Sequence, residues 1–138
     1  MEKSRSISLD IEHQSVQSDE AANLRSAEKV VRDMLTSWRK RLGGQSTITR
    51  TYPLDDASHV ELTSDHDEHI IAHHTSPQIE TTYEFDGPTR HLSIDMVPLS
   101  DAQLYDQRDT LMHLDSLGRL LFEADVQERS RQAAATGQ

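Results

Sequence analysis

The stretch "SDHDEHIIAHHTS", residues 64–76, packs His66, His69, His73 and His74 among Asp65, Asp67 and Glu68. Imidazole and carboxylate together can hold a divalent metal, exchange protons near neutral pH, or pair with a basic partner. On a helix, His66, His69 and His73 would share one face at i, i+3 and i+7, a workable metal face. The flanks oppose a helix. No periodic apolar stripe runs through the stretch, and Thr75-Ser76-Pro77 ends it early. The Ile70-Ile71 pair following a turn-like Asp65-His66-Asp67 fits a strand. On a strand, His69, Ile71 and His73 point one way and Ile70, Ala72 and His74 the other. Metalloprotease spacing is absent, because Glu68 precedes His69 and three residues separate His69 from His73. A metal here would draw on His59, His69, His73 and His91 from neighbouring strands. The competing readings are exposed strand histidines and a patch that responds to pH.

Those side chains need a sheet to carry them, and the sequence supplies one. Residues 5–12 alternate in polarity. Five further strand patterns follow in STITRTYP, SHVELTS, EHIIAHHT, QIETTYEF and RHLSIDMV, with Asp86-Gly87-Pro88 as a hairpin turn. Two helical patterns flank this block. Over 19–42, Leu24, Ala27, Val31, Met34, Trp38 and Leu42 make one apolar stripe, widened by Val30 and Leu35. Ser18 or Asp19 would cap its start and Gly43-Gly44 would end it. A second helix is expected from Ser100, with Gln103 in the capping-box position. Its stripe is Leu104, Leu111, Leu114, Leu121 and Ala124, flanked by Leu117 and Leu120, with Gly118 allowing close packing. The pattern fades in QERSRQAAATGQ.

Short connections favour an antiparallel meander. The expected fold is therefore α+β: a two-layer sandwich with about five to six antiparallel strands, an N-terminal helix and a long C-terminal amphipathic helix. One domain over 1–130 and a flexible tail over 131–138 complete that expectation.

Composition removes several classes of function. The chain of 138 residues has no cysteine, which excludes disulfides, thiolate metal sites and cysteine nucleophiles. A net charge of −10 opposes binding along a nucleic-acid backbone, and so few aromatics oppose base stacking. No run is long and apolar enough for a membrane span, and MEKSRSISLDIEH lacks a secretory apolar core. The expected location is the cytoplasm, or the interior of a viral or secretion assembly. Phosphate loops and the G-x-S-x-G nucleophile motif are missing.

Charge is unevenly placed. Between Arg50 and Arg90 there is no Lys or Arg, while Glu61, Glu68, Glu80 and Glu84 stand in that window. The first helix is basic, with Arg25, Lys29, Arg32, Arg39, Lys40 and Arg41. Both can be ordinary solvated faces, or complementary docking surfaces for self-association or a basic partner. Trp38 is read as core, with a role as partner anchor as the alternative.

The segment 78–131, from QIETTYEFDGPTRHLSIDMVPLS into the last helix, resembles the type III secretion chaperones in pattern. It departs from them by lacking a middle dimerisation helix and by adding the strand at 5–12. The element order is also similar to helix-grip ligand-binding domains, which implies a long terminal helix across a sheet. No site residue carries over from either. The expected function is a non-enzymatic protein-binding module: a chaperone, adaptor or assembly component. It would use Glu61, Glu68, Glu80, Glu84, Arg25, Arg32 and Trp38 toward a protein partner or another copy. No cofactor is expected, apart from a divalent metal on the histidines. The alternative is a small-molecule-binding or metal-dependent enzyme using the sheet's histidines and carboxylates.

Overall fold

The computed structural model describes residues 5–11, 21–43, 46–55, 57–66, 68–99 and 110–135. Strand β1 (Arg5–Asp10) precedes helix α1 (Ala21–Arg41). Strands β2 (Ile48–Pro53), β3 (His59–His66), β4 (His69–Thr75), β5 (Ile79–Asp86) and β6 (His91–Pro98) follow, and helix α2 (Thr110–Ala135) is last. The strands form one antiparallel sheet in the order β1-β6-β5-β4-β3-β2. Thus β2 to β6 are the expected meander, and β1 joins the last strand rather than its neighbour in sequence. The result is an α+β sandwich. The expected caps at Ser18 or Asp19, Gly44, and the Ser100 to Leu104 start of the second helix all lie outside the described residues.

Paired residues across an antiparallel ladder point to the same side. One face therefore carries the rows Tyr52–Val60–His74–Thr81–Met96, Leu62–Ala72–Tyr83–Ile94 and Ile70–Phe85–Leu92. The apolar members of these rows are buried. Both helices cover this face. Trp38 donates its indole N–H to Tyr52, and Arg39 reaches Ser64. Glu128 accepts from Tyr52, while His113 meets the Tyr83 ring edge-on. Burying a large apolar side chain contributes about 1.5–3 kcal/mol, so this face supplies most of the driving force.

The two helices run side by side in the same direction. A Cβ on Gly118 would lie 3.4 Å from Val30, and farther along Ser37 donates to Asp125 and Gln132 to the Arg41 carbonyl. Leu24, Ala27, Val31, Leu35 and Trp38 are buried on α1, and Leu114, Leu117, Leu121 and Ala124 on α2. Val30 departs from the expectation. It is 49% exposed at the flank of the stripe. Gly43 ends α1 as expected, with φ at 87°.

The expected fraying from Gln127 is corrected as far as Ala135, to which α2 continues; residues 136–138 of the expected tail lie outside the described residues. Polar anchors replace the apolar stripe there. Gln127 donates to the Pro53 carbonyl, Glu128 is buried against Tyr52, and Arg131 pairs with Glu128. Trp38 is fully buried and hydrogen-bonded, so it is a core residue and not a partner anchor.

Candidate functional site

The opposite face of the sheet carries the chemistry. Its rows are His59–Thr75–Glu80–Val97, Glu61–His73–Thr82–Asp95–Ser6, Thr63–Ile71–Glu84–Ser93–Ser8 and His69–Asp86–His91–Asp10. Among the described residues no helix packs on this outer face, and no Lys or Arg stands at its strand positions. Glu61, Glu84, His91 and Asp95 are exposed there. The side-chain directions inferred for His69, Ile71 and His73 hold.

The ladder breaks once. Between Thr63↔Ile71 and His66↔His69 the register shifts, so Ser64 and Asp65 together oppose Ile70. Such a bulge re-aims side chains. Without it, Asp65 and His66 would point to opposite faces; with it, both stand beside His69. Ser64 fixes the bulge from below. It is fully buried, accepts from Arg39 Nη1 at 2.6 Å, and donates to the His69 carbonyl at 2.7 Å. The stretch 65–66 is thus strand and not turn. Glu68 takes a left-handed φ of 64° in the turn that enters β4.

The result is a compact cluster. Asp65 Oδ1 lies 2.8 Å from His66 Nδ1 and 2.6 Å from His69 Nδ1, and His69 Nε2 lies 3.0 Å from Glu84 Oε2. The imidazoles of His66 and His69 stack at 4.8 Å. One donor atom each from Asp65, His66 and His69 fits within a span of 4.8 Å, the spacing a metal ion needs. His69 is almost buried, whereas Asp65 and His66 are open to solvent. An open depression of about 460 Å³ extends from His69 past Glu84 and Ser93 to His91.

Burial alone would lower the His69 pKa. Its hydrogen bonds to Glu84 and Asp65, with their charges, outweigh that and hold it above the ordinary histidine value. Desolvation likewise acts to raise Asp65, but the bond to His69 and the nearby histidine charges bring it below the usual carboxylate range. His74, on the inner face, goes the other way. Burial, helped by the charge of His59 and opposed by Asp55, lowers it. The stability contribution of His69 is full below the unfolded-state pKa of about 6.5 and fades as pH rises through its folded value. That of His74 is full above about 6.5 and fades as pH falls through its lowered value. The metal-free protein is therefore expected to show opposite effects for the two histidines in chemical unfolding at a series of pH values with a chelator present. His69→Asn should flatten the decline on the alkaline side, and His74→Asn the decline on the acid side. Equal slopes in wild type and both variants would contradict these assignments.

Behind the cluster a charged network ties α1 to both hairpin turns. Glu28 is buried and accepts from Arg90 Nη2 at 2.7 Å, from Arg90 Nε at 2.9 and 3.2 Å, and from Arg32 at 3.0 Å. Arg32 also reaches Glu68 at 2.7 Å and the Gly87 carbonyl at 2.8 Å, with its guanidinium over Phe85. A Cβ on Gly87 would come within 2.6 Å of the Glu68 Cβ, so glycine lets the two turns touch.

No family model, no curated protein and no solved structure matches this chain. What it can do rests on its own residues.

The four histidines proposed from the sequence as metal ligands share the outer face but do not converge. His69 and His91 flank Asp86, and His91 meets Ser8 at 2.6 Å. His73 lies 3.2 Å from Glu80 without the alignment of a hydrogen bond. His59 stands in a separate row. Only His69 enters the cluster, and its companions Asp65 and His66 were missed because alternation alone separates them.

Half of the basic side chains expected on the surface of α1 are engaged by the protein itself. Arg32 pairs with Glu28 and Glu68, Arg39 is buried on Ser64, and Arg41 pairs with buried Asp125. Arg25, Lys29 and Lys40 are exposed, Lys29 beside Asp33. Of the carboxylates proposed for docking, Glu61, Glu80 and Glu84 lie on the outer face, while Glu68 is held by Arg32 at the turn.

A larger cavity of about 630 Å³ lies on the inner side, between α2 and the ends of β3 to β5. Its walls include His74, Tyr83, Ser116, Arg119 and Glu123. It is separate from the bulge cluster.

Proposed function

We propose that this protein is a binding module whose outer sheet face docks a Lys/Arg-rich segment of another protein. One observation carries the reading: an open antiparallel face with carboxylates in every row and no cation at its strand positions. Such a face attracts and orients a basic partner. The inward pairing of Arg32, Arg39 and Arg41 argues that the basic charge comes from a different protein rather than from α1 of a second copy. No helix among the described residues is long and apolar enough to cross a membrane.

The test is amide-shift mapping with an arginine- and lysine-rich model peptide. Shifts should concentrate on β3 to β6, weaken clearly as salt rises from low to physiological, and vanish in Glu61→Lys/Asp95→Lys. Shifts confined to the helices, or indifferent to salt and to charge reversal, would reject the reading.

The inner cavity favours a second reading. Its volume lies within the range of small-molecule sites, roughly 300–1,000 Å³, and polar groups of α2 converge on it. A fragment screen read by the same amides would then report at β4, β5 and residues 116–123 instead.

A further inference from the structure

The bulge between β3 and β4 does more than bend an edge. It sets a carboxylate and two imidazoles side by side, with His66 and His69 nearly parallel and Asp65 touching both Nδ1 atoms. The far nitrogen of His69 already faces Glu84 at 3.0 Å. A metal-bound imidazole characteristically donates its second N–H to a carboxylate, which fixes its tautomer and strengthens its donor nitrogen. Asp86, in the next row, adds negative charge beside the cluster. The cluster is rigid from below, through buried Ser64, and open from above, through exposed Asp65 and His66.

We propose that Asp65, His66 and His69 form a zinc site, with Glu84 as the residue that orients His69. Two nitrogens and one oxygen suit Zn²⁺, whereas Mg²⁺ and Ca²⁺ prefer oxygen ligands throughout. Both histidines bind through Nδ1, leaving the Nε2–H of His69 to Glu84. Three protein ligands leave the fourth tetrahedral position to water, or to a donor from a partner on the same face. Zinc on His69 Nδ1 would take the place of the hydrogen bond now between that nitrogen and Asp65 Oδ1. The proposal stands independently of the docking reading, since it needs no partner.

The experiment titrates ZnCl₂ into the full chain, stripped with a chelator, at neutral pH. Affinity is read by competition with a chromophoric chelator and the site by histidine imidazole NMR signals. One zinc per chain is expected, with shifts at His66 and His69 and none at His59 or His74. Asp65→Asn, His66→Asn and His69→Asn should each weaken zinc at least ~10-fold, and Glu84→Gln by about 10- to 100-fold. Mg²⁺ at the same concentration should move neither signal. If His69→Asn fails to fold, Asp65→Asn and His66→Asn carry the test, because both side chains are exposed. Absence of stoichiometric uptake, uptake unaffected by His66→Asn, or shifts at His59 in place of His66 would overturn the assignment. Because zinc alone is the probe, its failure leaves the peptide result intact, and the reverse also holds.

Discussion

Tyr52→Phe is expected to lower the stability of the protein by about 3 kcal/mol, the largest effect of removing a single atom from it. The Tyr52 hydroxyl is fully buried. It accepts from Trp38 Nε1 at 2.7 Å and donates to Glu128 Oε2 at 2.5 Å. It therefore joins α1, β2 and α2 at one point. Burial and the Glu128 carboxylate push the Tyr52 pKa up, so the hydroxyl remains a donor at all working pH values. Phenylalanine keeps the ring but strands a buried indole N–H and a buried carboxylate whose other contact is Arg131 at 3.5 Å. An unsatisfied buried group costs about 1–3 kcal/mol, and more when charged. The melting temperature should fall by roughly 10 °C. Trp38 is the chain's one tryptophan, so its fluorescence follows the transition directly. In Tyr52→Phe/Glu128→Leu, where the carboxylate is gone as well, part of the loss should return. A loss below about 1 kcal/mol in the single variant would show that the hydroxyl is not the junction described.

Glu28→Ala comes next, at about 2–3 kcal/mol. Breaking a buried ion pair costs about 3–5 kcal/mol when the orphaned charge stays buried. Here Arg32 and Arg90 are 30% and 26% exposed, so both can turn partly to water and the cost is smaller. The diagnostic effect is local. Arg90 closes the β5–β6 turn in a left-handed φ of 54°, and Arg32 holds Glu68 and the Gly87 carbonyl. Without Glu28, amide hydrogen exchange should quicken at both hairpin turns before the strands open. Uniform acceleration across the sheet, with no excess at residues 86–91, would mean that Glu28 serves global stability alone.

These two residues also show what the sequence hides. Strand alternation was legible because β-branched and aromatic residues recur with period two, and it placed His69 and His73 on one face. The Asp86-Gly87-Pro88 turn was legible from its residue types. Glu28, Asp125 and Glu128 were not. They lie on the apolar sides of their helices, Glu28 one turn after Leu24 and Glu128 one turn after Ala124, and a search for apolar residues passes over buried carboxylates. Their partners Arg32 and Arg41 fall on the basic helix face, which the sequence presents as solvated or docking, for the same reason. The bulge was hidden more deeply. It depends on Ser64 being held by Arg39 of α1, a contact between residues 25 positions apart that no local period records. The zinc candidates were lost with it, because an unbroken strand sends Asp65 and His66 to opposite sides.

The pairing of β1 with β6 sets a timetable for synthesis. Ser6 bonds to Asp95, 89 residues farther along the chain. At about 5–20 residues per second, a ribosome needs roughly 4–18 s to make that gap. Each hairpin from β2 to β6 can close as soon as its second strand emerges, but β1, made first, waits for the strand made last. The first strand of the sheet to be made is thus the one that waits longest for its partner.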